Sequence, residues 1–155
     1  MIMMSACLTG VNCKYNGGSN LLPACKALAD DEEVLLICPE ELGGLPIPRS
    51  PSEIIGGGGE DVLNGQAWVV NRDGEDITLH FIKGAEEVLQ LARQHKVTLA
   101  ILRRRSPSCG CGEIYDGSFT STLRSGDGVC AALLKKNGIS VVSDEDYLKK
   151  GVIDE

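Results

Sequence analysis

Three short, continuous apolar runs constrain the fold of this chain most strongly. They cover residues 2–8, 34–38 and 97–102, and each is bounded by charged or turn-forming residues. Runs of this length are typical of strands that are buried on both faces. Helical patterns separate them, and parallel neighbours in a sheet need such crossover connections. This order predicts an α/β fold, a three-layer sandwich around a mostly parallel sheet of about four strands.

Amphipathic spacing predicts helices between and after these runs. The first helix covers residues 21–31, and its predicted inner face consists of Leu21, Cys25, Leu28 and Ala29. The clearest helix covers residues 79–96, and its apolar stripe consists of Phe81, Ala85, Val88, Leu89 and Ala92. A third helix is predicted at residues 128–137, with Asp127 as its N-cap. A last short strand follows at residues 139–142.

The middle of the chain carries weaker patterns. Residues 39–59 contain four prolines and a run of glycines, and predict a long irregular region of the kind that often serves function. Residues 66–78 predict a small β-hairpin insertion, with Asp73-Gly74 as its turn. The chain of 155 residues is long enough to bury a core without covalent staples, so we expect residues 1–155 to form a single domain.

Charge and hydropathy argue against several classes of protein. The formal net charge is −7, so we expect no stable binding to nucleic acid or to an anionic membrane. No apolar run approaches the roughly 20 residues that span a bilayer, and no signal peptide is recognisable, so we expect a cytoplasmic protein. The basic cluster Arg103-Arg104-Arg105 is either a local anion site or a solvated strand end. A monomer and a homodimer both remain open.

Seven cysteines stand in the chain, an odd number that argues against a disulfide framework here. Cys25 and Cys130 have apolar neighbours on predicted helices, so we expect them in the core. Cys7, Cys38 and Cys109 end or follow three different predicted strands. Because parallel strands end at one edge of a sheet, where open α/β sheets bind ligands, these three cysteines are expected to converge.

Three thiolates without an obvious fourth ligand suit an iron–sulfur cluster that leaves one iron open. A zinc ion with three protein ligands and one water is the alternative, and sequence spacing does not separate the two. Cys13 and Cys111 lie in loops near proposed ligands, and for each a fourth ligand, a sulfur relay and a bystander remain open. The backbone amides expected to donate hydrogen bonds to the sulfurs are those of Gly43, Gly44, Gly110 and Gly112.

Several motifs stand in order along nearly the whole chain. They include Ser5-Ala6-Cys7-Leu8-Thr9-Gly10, Cys38-Pro39-Glu40-Glu41-Leu42-Gly43-Gly44, Ser106-Pro107-Ser108-Cys109-Gly110 and Gly126-Asp127-Gly128-Val129. With them the chain resembles the 2-thiouracil desulfurase family. The resemblance implies a [4Fe-4S] cluster bound by Cys7, Cys38 and Cys109. It also implies removal of sulfur from a thiolated pyrimidine base or nucleoside, giving the oxo base and sulfide, in the salvage of tRNA thionucleosides.

This chemistry needs an acid/base group close to the cluster. Glu40 and Glu41 are the candidates because they directly follow a proposed ligand, although a solvated loop explains them nearly as well. Ser106 and Ser108 flank the third cysteine and are candidates for orienting the substrate or donating to sulfur.

Cys111 departs from the family pattern, and as a fourth ligand it would close the open iron. The alternatives to a desulfurase are a zinc hydrolase and a non-catalytic cluster- or zinc-binding protein. The latter would store sulfur, sense redox state or bind a nucleotide.

Overall fold

The computed structural model describes residues 1–153, and the side chains of residues 1–149. The strands are β1 Ile2–Ser5, β2 Val34–Ile37, β3 Ser52–Ile55, β4 Trp68–Asn71, β5 Leu99–Leu102, β6 Glu113–Tyr115, β7 Leu123–Ser125 and β8 Ser140–Ser143. The helices are α1 Pro23–Asp31, α2 Pro39–Leu42, α3 Gly59–Leu63, α4 Thr78–Gln94, α5 Val129–Lys136 and α6 Asp144–Ile153, with a 3₁₀ turn at Ala6–Thr9. No helix in this part of the chain is long and apolar enough to cross a membrane.

The central sheet has the strand order β2-β1-β5-β8, and every neighbouring pair is parallel. Its two faces are buried in separate clusters, because successive side chains of a strand point to opposite faces. Met3 packs with Phe81 of α4 and Leu134 of α5, whereas Met4 packs with Cys25 of α1. The α/β fold and its three layers are therefore confirmed.

The two helix predictions tested by burial gave different outcomes. All five residues of the predicted stripe of α4 are buried, as expected. In α1, Cys25 is buried, but Leu21 is 52% exposed and its assignment to the inner face was wrong. The helix begins at Pro23, and Leu22 directly before the proline is extended, so Leu21 lies outside the helix.

Asp127 is not the N-cap that its residue type predicted. Gly128 occupies the cap position of α5 and makes no side-chain hydrogen bond there. Asp127 instead accepts a hydrogen bond from the Gly112 amide at 2.9 Å and pairs with Lys135 at 3.0 Å. The Asp127 carboxylate is therefore bound to these two groups and does not cap the helix.

The hairpin prediction was partly right. The turn at Asp73-Gly74 is present, closed by a 3.0 Å hydrogen bond from the Gly74 amide to the Asn71 carbonyl. The main partner of β4 is β3, in antiparallel register, whereas the expected second arm makes only a bridge between Val70 and Asp76. The predicted irregular region thus contains both α2 and β3. A second antiparallel pair, β6 and β7, follows the loop after β5 that contains Cys109.

A close contact between α2 and α4 positions the segment that begins with Cys38. A Cβ on Gly84 would lie 2.0 Å from the Pro39 carbonyl oxygen, and one on Gly43 would lie 2.0 Å from that of His80. Only glycine permits such an approach of two backbones. The pair therefore lets α2 lie directly against the long helix, with the end of β2 beside it.

Candidate functional site

A cavity of about 400 Å³ opens at the carboxyl edge of the parallel sheet. Cys7, Cys38 and Cys109 all line it. Cys7 lies in the 3₁₀ turn after β1, Cys38 directly follows β2, and Cys109 lies in the loop after β5. The volume is within the range of small-molecule sites. The structure thus brings the three predicted cysteines to one cavity, from three distant segments of the chain.

Two of these cysteines lie against a further thiol, that of Cys13. Hydrogen bonds with Cys13 and with the Asn20 amide, the latter at 3.5 Å, lower the pKa of Cys7 to about 7. Hydrogen bonds with Cys13 and with the Glu41 backbone N–H lower the pKa of Cys38. The same thiol contacts raise the pKa of Cys13. Cys7 and Cys38 are thereby biased towards the thiolate, which is the nucleophilic and metal-binding form.

Cys109 lies in a different environment. Burial raises its pKa to about 12, although hydrogen bonds with Ser5 and Ser108 act in the opposite direction. The Ser108 hydroxyl donates to the sulfur at 3.6 Å. Ser106 accepts hydrogen bonds from the backbone amides of Ser108 and Cys109, both at 3.1 Å. The two predicted serines therefore orient this sulfur, and Ser5, which lay in a quoted motif without a role, is a third contributor.

The N-terminus of α5 holds the Cys109 loop in place. The amides of Val129 and Cys130 donate to the carbonyls of Pro107 and Ser108, at 2.8 and 2.9 Å. These helix amides have no partner within the helix, so the loop satisfies them. A Cβ on Gly128 would lie 2.5 Å from the Ser108 carbonyl carbon, and its glycine permits the contact.

The two candidate glutamates differ in position. Glu40 lines the cavity, whereas Glu41 is exposed and does not line it. Arg49 Nη2 donates to Glu40 Oε2 at 2.7 Å and to the Cys13 carbonyl at 3.0 Å. The Arg49 side chain is only 6% exposed. It fixes the Glu40 carboxylate at the cavity wall, a role that no spacing in the sequence revealed.

The basic cluster is an ion-paired part of the cavity wall. Arg103 and Arg104 contact the fully buried Asp144 at 3.3 and 3.6 Å, and Arg105 lies 3.8 Å from Glu113. All three arginines line the cavity. The cluster is therefore more than a solvated strand end, since it ties the cavity wall to α6.

The positions of the other four cysteines distinguish core residues from residues of the cavity. Cys25 and Cys130 are fully buried, which confirms their assignment to the core. Cys13 lines the cavity. Cys111 does not, because its thiol donates to the Val141 carbonyl at 3.6 Å and lies beside Lys135. Of the two candidates for a fourth ligand, the geometry leaves only Cys13 within the cavity wall.

The glycine amides expected to bind sulfur have other partners. Their acceptors are Pro39 O for Gly43, Glu41 O for Gly44, Ser106 O for Gly110 and Asp127 Oδ1 for Gly112. That prediction was wrong, because these amides close turns or bind a carboxylate. Side-chain groups and the Glu41 amide contact the sulfurs instead.

The donor set favours a cluster over a single ion. Among the described side chains, no three His, Cys, Asp or Glu residues are arranged to hold one metal ion. One zinc ion would draw its sulfurs to about 2.3 Å from a single centre. A cubane cluster binds each cysteine through a different iron and so accommodates a wider spacing. Three thiols that line one cavity fit the cluster.

Three comparisons with known proteins each match nearly the whole chain. The family model described as 2-thiouracil desulfurase matches residues 2–146. The YbbK protein of Bacillus subtilis (strain 168) is 45% identical over 146 residues, which are 94% of this chain and 97% of that protein. A solved structure of the [4Fe-4S]-dependent thiouracil desulfidase TudS has a TM-score of 0.83 and 37% identity, covering 98% of this chain and 95% of TudS.

Proposed function

We propose, from the premise that this chain belongs to the 2-thiouracil desulfurase family, that it is a [4Fe-4S]-dependent desulfurase of thiolated pyrimidines. Its similarity to TudS, which is described as a [4Fe-4S]-dependent thiouracil desulfidase, supports both the reaction and the cofactor. The observation that carries the proposal is the presence of Cys7, Cys38 and Cys109 in one cavity. We also propose that residues 1–155 form a single desulfurase-like domain, of which the last two residues lie outside the described part of the chain.

Cys7, Cys38 and Cys109 are the proposed cluster ligands. When bound, the cluster supplies an open iron as Lewis acid and acceptor for the substrate sulfur. The pKa of Cys7 is about 7, so this sulfur reaches the ligating form near neutral pH, and the pKa of Cys38 is shifted in the same direction. Cys109, with a pKa of about 12, becomes a thiolate only under the charge of a metal. Cys13 remains a hydrogen-bond donor to the other two sulfurs.

Glu40 is the proposed acid/base group. Hydrolysis replaces the C=S sulfur by the oxygen of water and releases hydrogen sulfide, so protons must move from water to the departing sulfur. Glu40 lines the cavity and is held by Arg49 at 2.7 Å, and it is therefore placed to accept and return such a proton. Glu41, outside the cavity, is the weaker candidate.

Ser106 and Ser108 have a proposed part in the same step. They share a 3.0 Å hydrogen bond, and both line the cavity. Ser108 donates to the Cys109 sulfur, while Ser106 holds the loop amides. We assign them to the orientation of the third ligand and of the substrate beside it.

The proposed biological setting is the salvage of tRNA thionucleosides in the cytoplasm. Seven free cysteines suit a reducing compartment. The net charge of −7 disfavours tRNA itself and favours a small thiolated base or nucleoside.

The direct test is anaerobic reconstitution followed by incubation with 2-thiouracil. The expected result is iron and sulfide in the purified protein, with uracil and sulfide released in equal amounts. Cluster binding without sulfide release from any thiolated base would favour the non-catalytic alternative. Zinc in place of iron would support the hydrolase.

A further inference from the structure

The loop between β6 and β7 brings an aromatic ring to the cavity of the three cysteines. The Asp116 amide donates to the Thr122 carbonyl at 2.9 Å and closes the loop at its base. Phe119 and Ser121, within the loop, both line the cavity. Neither residue is among the proposed cluster ligands or the proposed acid/base group, so the proposed function assigns them no role.

Phe119 is held in a backbone conformation that a bulky residue rarely adopts. Its φ of 58° lies in the left-handed region, where an aromatic side chain persists only if its surroundings enforce it. Glu53 supplies that constraint. Its Oε1 accepts hydrogen bonds from the amides of Gly117 and Phe119, at 2.9 and 3.2 Å. A carboxylate on β3, itself lining the cavity, therefore fixes the loop.

The ring of Phe119 is only loosely covered. The side chain is half-buried, and the guanidinium carbon of Arg72 lies 6.0 Å from the ring centroid. That distance is the outer limit of a cation–π contact. Phe119 thus offers an apolar, planar surface in a cavity that Tyr15 and Tyr115 also line. Of these three aromatic residues, Phe119 alone lacks a hydroxyl group and alone is held in the left-handed backbone region.

We propose that the pyrimidine ring of the substrate stacks on Phe119, and that Glu53 is the positioning residue that holds this platform. The inference rests on the proposed function, since it concerns the same cavity. A thiolated pyrimidine is flat, and every base has a π-face that an aromatic side chain can bind. Stacking orients the ring without using the polar groups around its sulfur, which stay free for the reaction.

The first test replaces the ring with an aliphatic side chain of similar polarity. Phe119→Leu should raise KM for 2-thiouracil roughly tenfold and leave kcat nearly unchanged, because binding is lost while the reacting groups stay in place. Phe119→Tyr should restore KM. Trp68→Leu is the matched control, since Trp68 is an exposed aromatic residue of β4 outside this cavity. Iron and sulfide per chain should be equal in all variants.

The second test examines Glu53, the residue that holds the Phe119 loop, separately from the Phe119 ring. Glu53→Ala removes the oxygen that accepts from both loop amides, and it should raise KM as Phe119→Leu does. Glu53→Gln keeps an oxygen acceptor and should stay close to wild type. A purely structural role for Glu53 would instead lower the thermal midpoint without changing KM.

Binding of uracil and of 5,6-dihydrouracil to the holoprotein, measured by calorimetry, needs no turnover. Dihydrouracil is not planar, so wild type should prefer uracil and Phe119→Leu should lose most of that preference. Weaker uracil binding by Phe119→Leu without any sulfide release from wild type would support stacking and overturn only the desulfurase. An unchanged uracil affinity in Phe119→Leu, or in Glu53→Ala if that variant alone is stable, would overturn the stacking, and so would the absence of any pyrimidine binding.

Discussion

The two walls of the cavity hold their cysteines in opposite ways. On the first wall, Cys7 and Cys38 share hydrogen bonds with Cys13, and the pKa of each is lowered. On the second wall, Cys109 is buried within the loop that α5 supports, and its pKa is raised to about 12. On the first wall, neighbouring hydrogen-bond donors favour the thiolate forms of Cys7 and Cys38. On the second wall, Cys109 stays a neutral thiol until a metal binds.

The difference suggests an order of events in assembly of the site. On the proposed assignment, we expect Cys7 to ligate near neutral pH, because its hydrogen-bond donors lower its pKa to about 7. We expect Cys109 to bind only when the charge of the metal offsets the burial of its thiol. A cluster with three protein ligands needs cysteines from both walls, but we expect substitutions on the two walls to have different effects.

The largest expected effect comes from removing a ligand on either wall. Cys7→Ser, Cys38→Ser and Cys109→Ser should each abolish the cluster and sulfide release, because a serine hydroxyl replaces a thiolate. Iron and sulfide per chain after anaerobic reconstitution measure the loss. Cys111→Ser is the matched control and should keep the cluster, since Cys111 lies outside the cavity. Retention of the cluster in two of the three ligand variants would contradict the assignment.

A smaller effect is expected from the carboxylate of the first wall. Glu40→Gln should lower kcat by about a hundredfold or more while the cluster is retained, because the amide cannot transfer the proton. Glu41→Gln serves as the control and should change kcat little, given its exposure outside the cavity. Steady-state sulfide release decides between them. Equal losses in both variants would assign the proton transfer to another group.

Alkylation of the cluster-free protein compares the two walls directly. With a pKa of about 7, Cys7 is half thiolate at that pH, so its reaction with iodoacetamide should rise through neutral pH and level off above it. Cys109, with a pKa of about 12, should react at least about a hundredfold more slowly at pH 7. Peptide mapping by mass spectrometry gives both rates. Comparable rates would remove the distinction between the walls.

The smallest effect concerns the hydrogen bond on the second wall. Ser108→Ala removes the donor to the Cys109 sulfur and should speed loss of the cluster under chelator about fivefold. The decay of visible absorbance measures this rate. Ser118→Ala, in an exposed turn, is the control. An unchanged rate would show that burial alone stabilises this ligand.

Local patterns predicted most of the framework correctly. The five-residue stripe of α4 was readable because burial imposes a helical period, and continuous apolar runs located β1, β2 and β5. The expectation that the second run is buried on both faces was wrong, because β2 is an edge strand and its Leu36 is 39% exposed. The partner of β4 was not readable. That partner is β3, Ser52–Ile55, a short segment among prolines and glycines. It is a strand only because it pairs with a segment farther along the chain.

The sequence alone determined that Cys7, Cys38 and Cys109 share one edge, because parallel strands must end together. Tertiary structure alone decided which neighbours join them. Glu40 and Glu41 are adjacent, yet only Glu40 lines the cavity. Cys109 and Cys111 are two residues apart, yet only Cys109 does. The direction of a loop side chain depends on what packs against it, and that packing comes from distant parts of the chain.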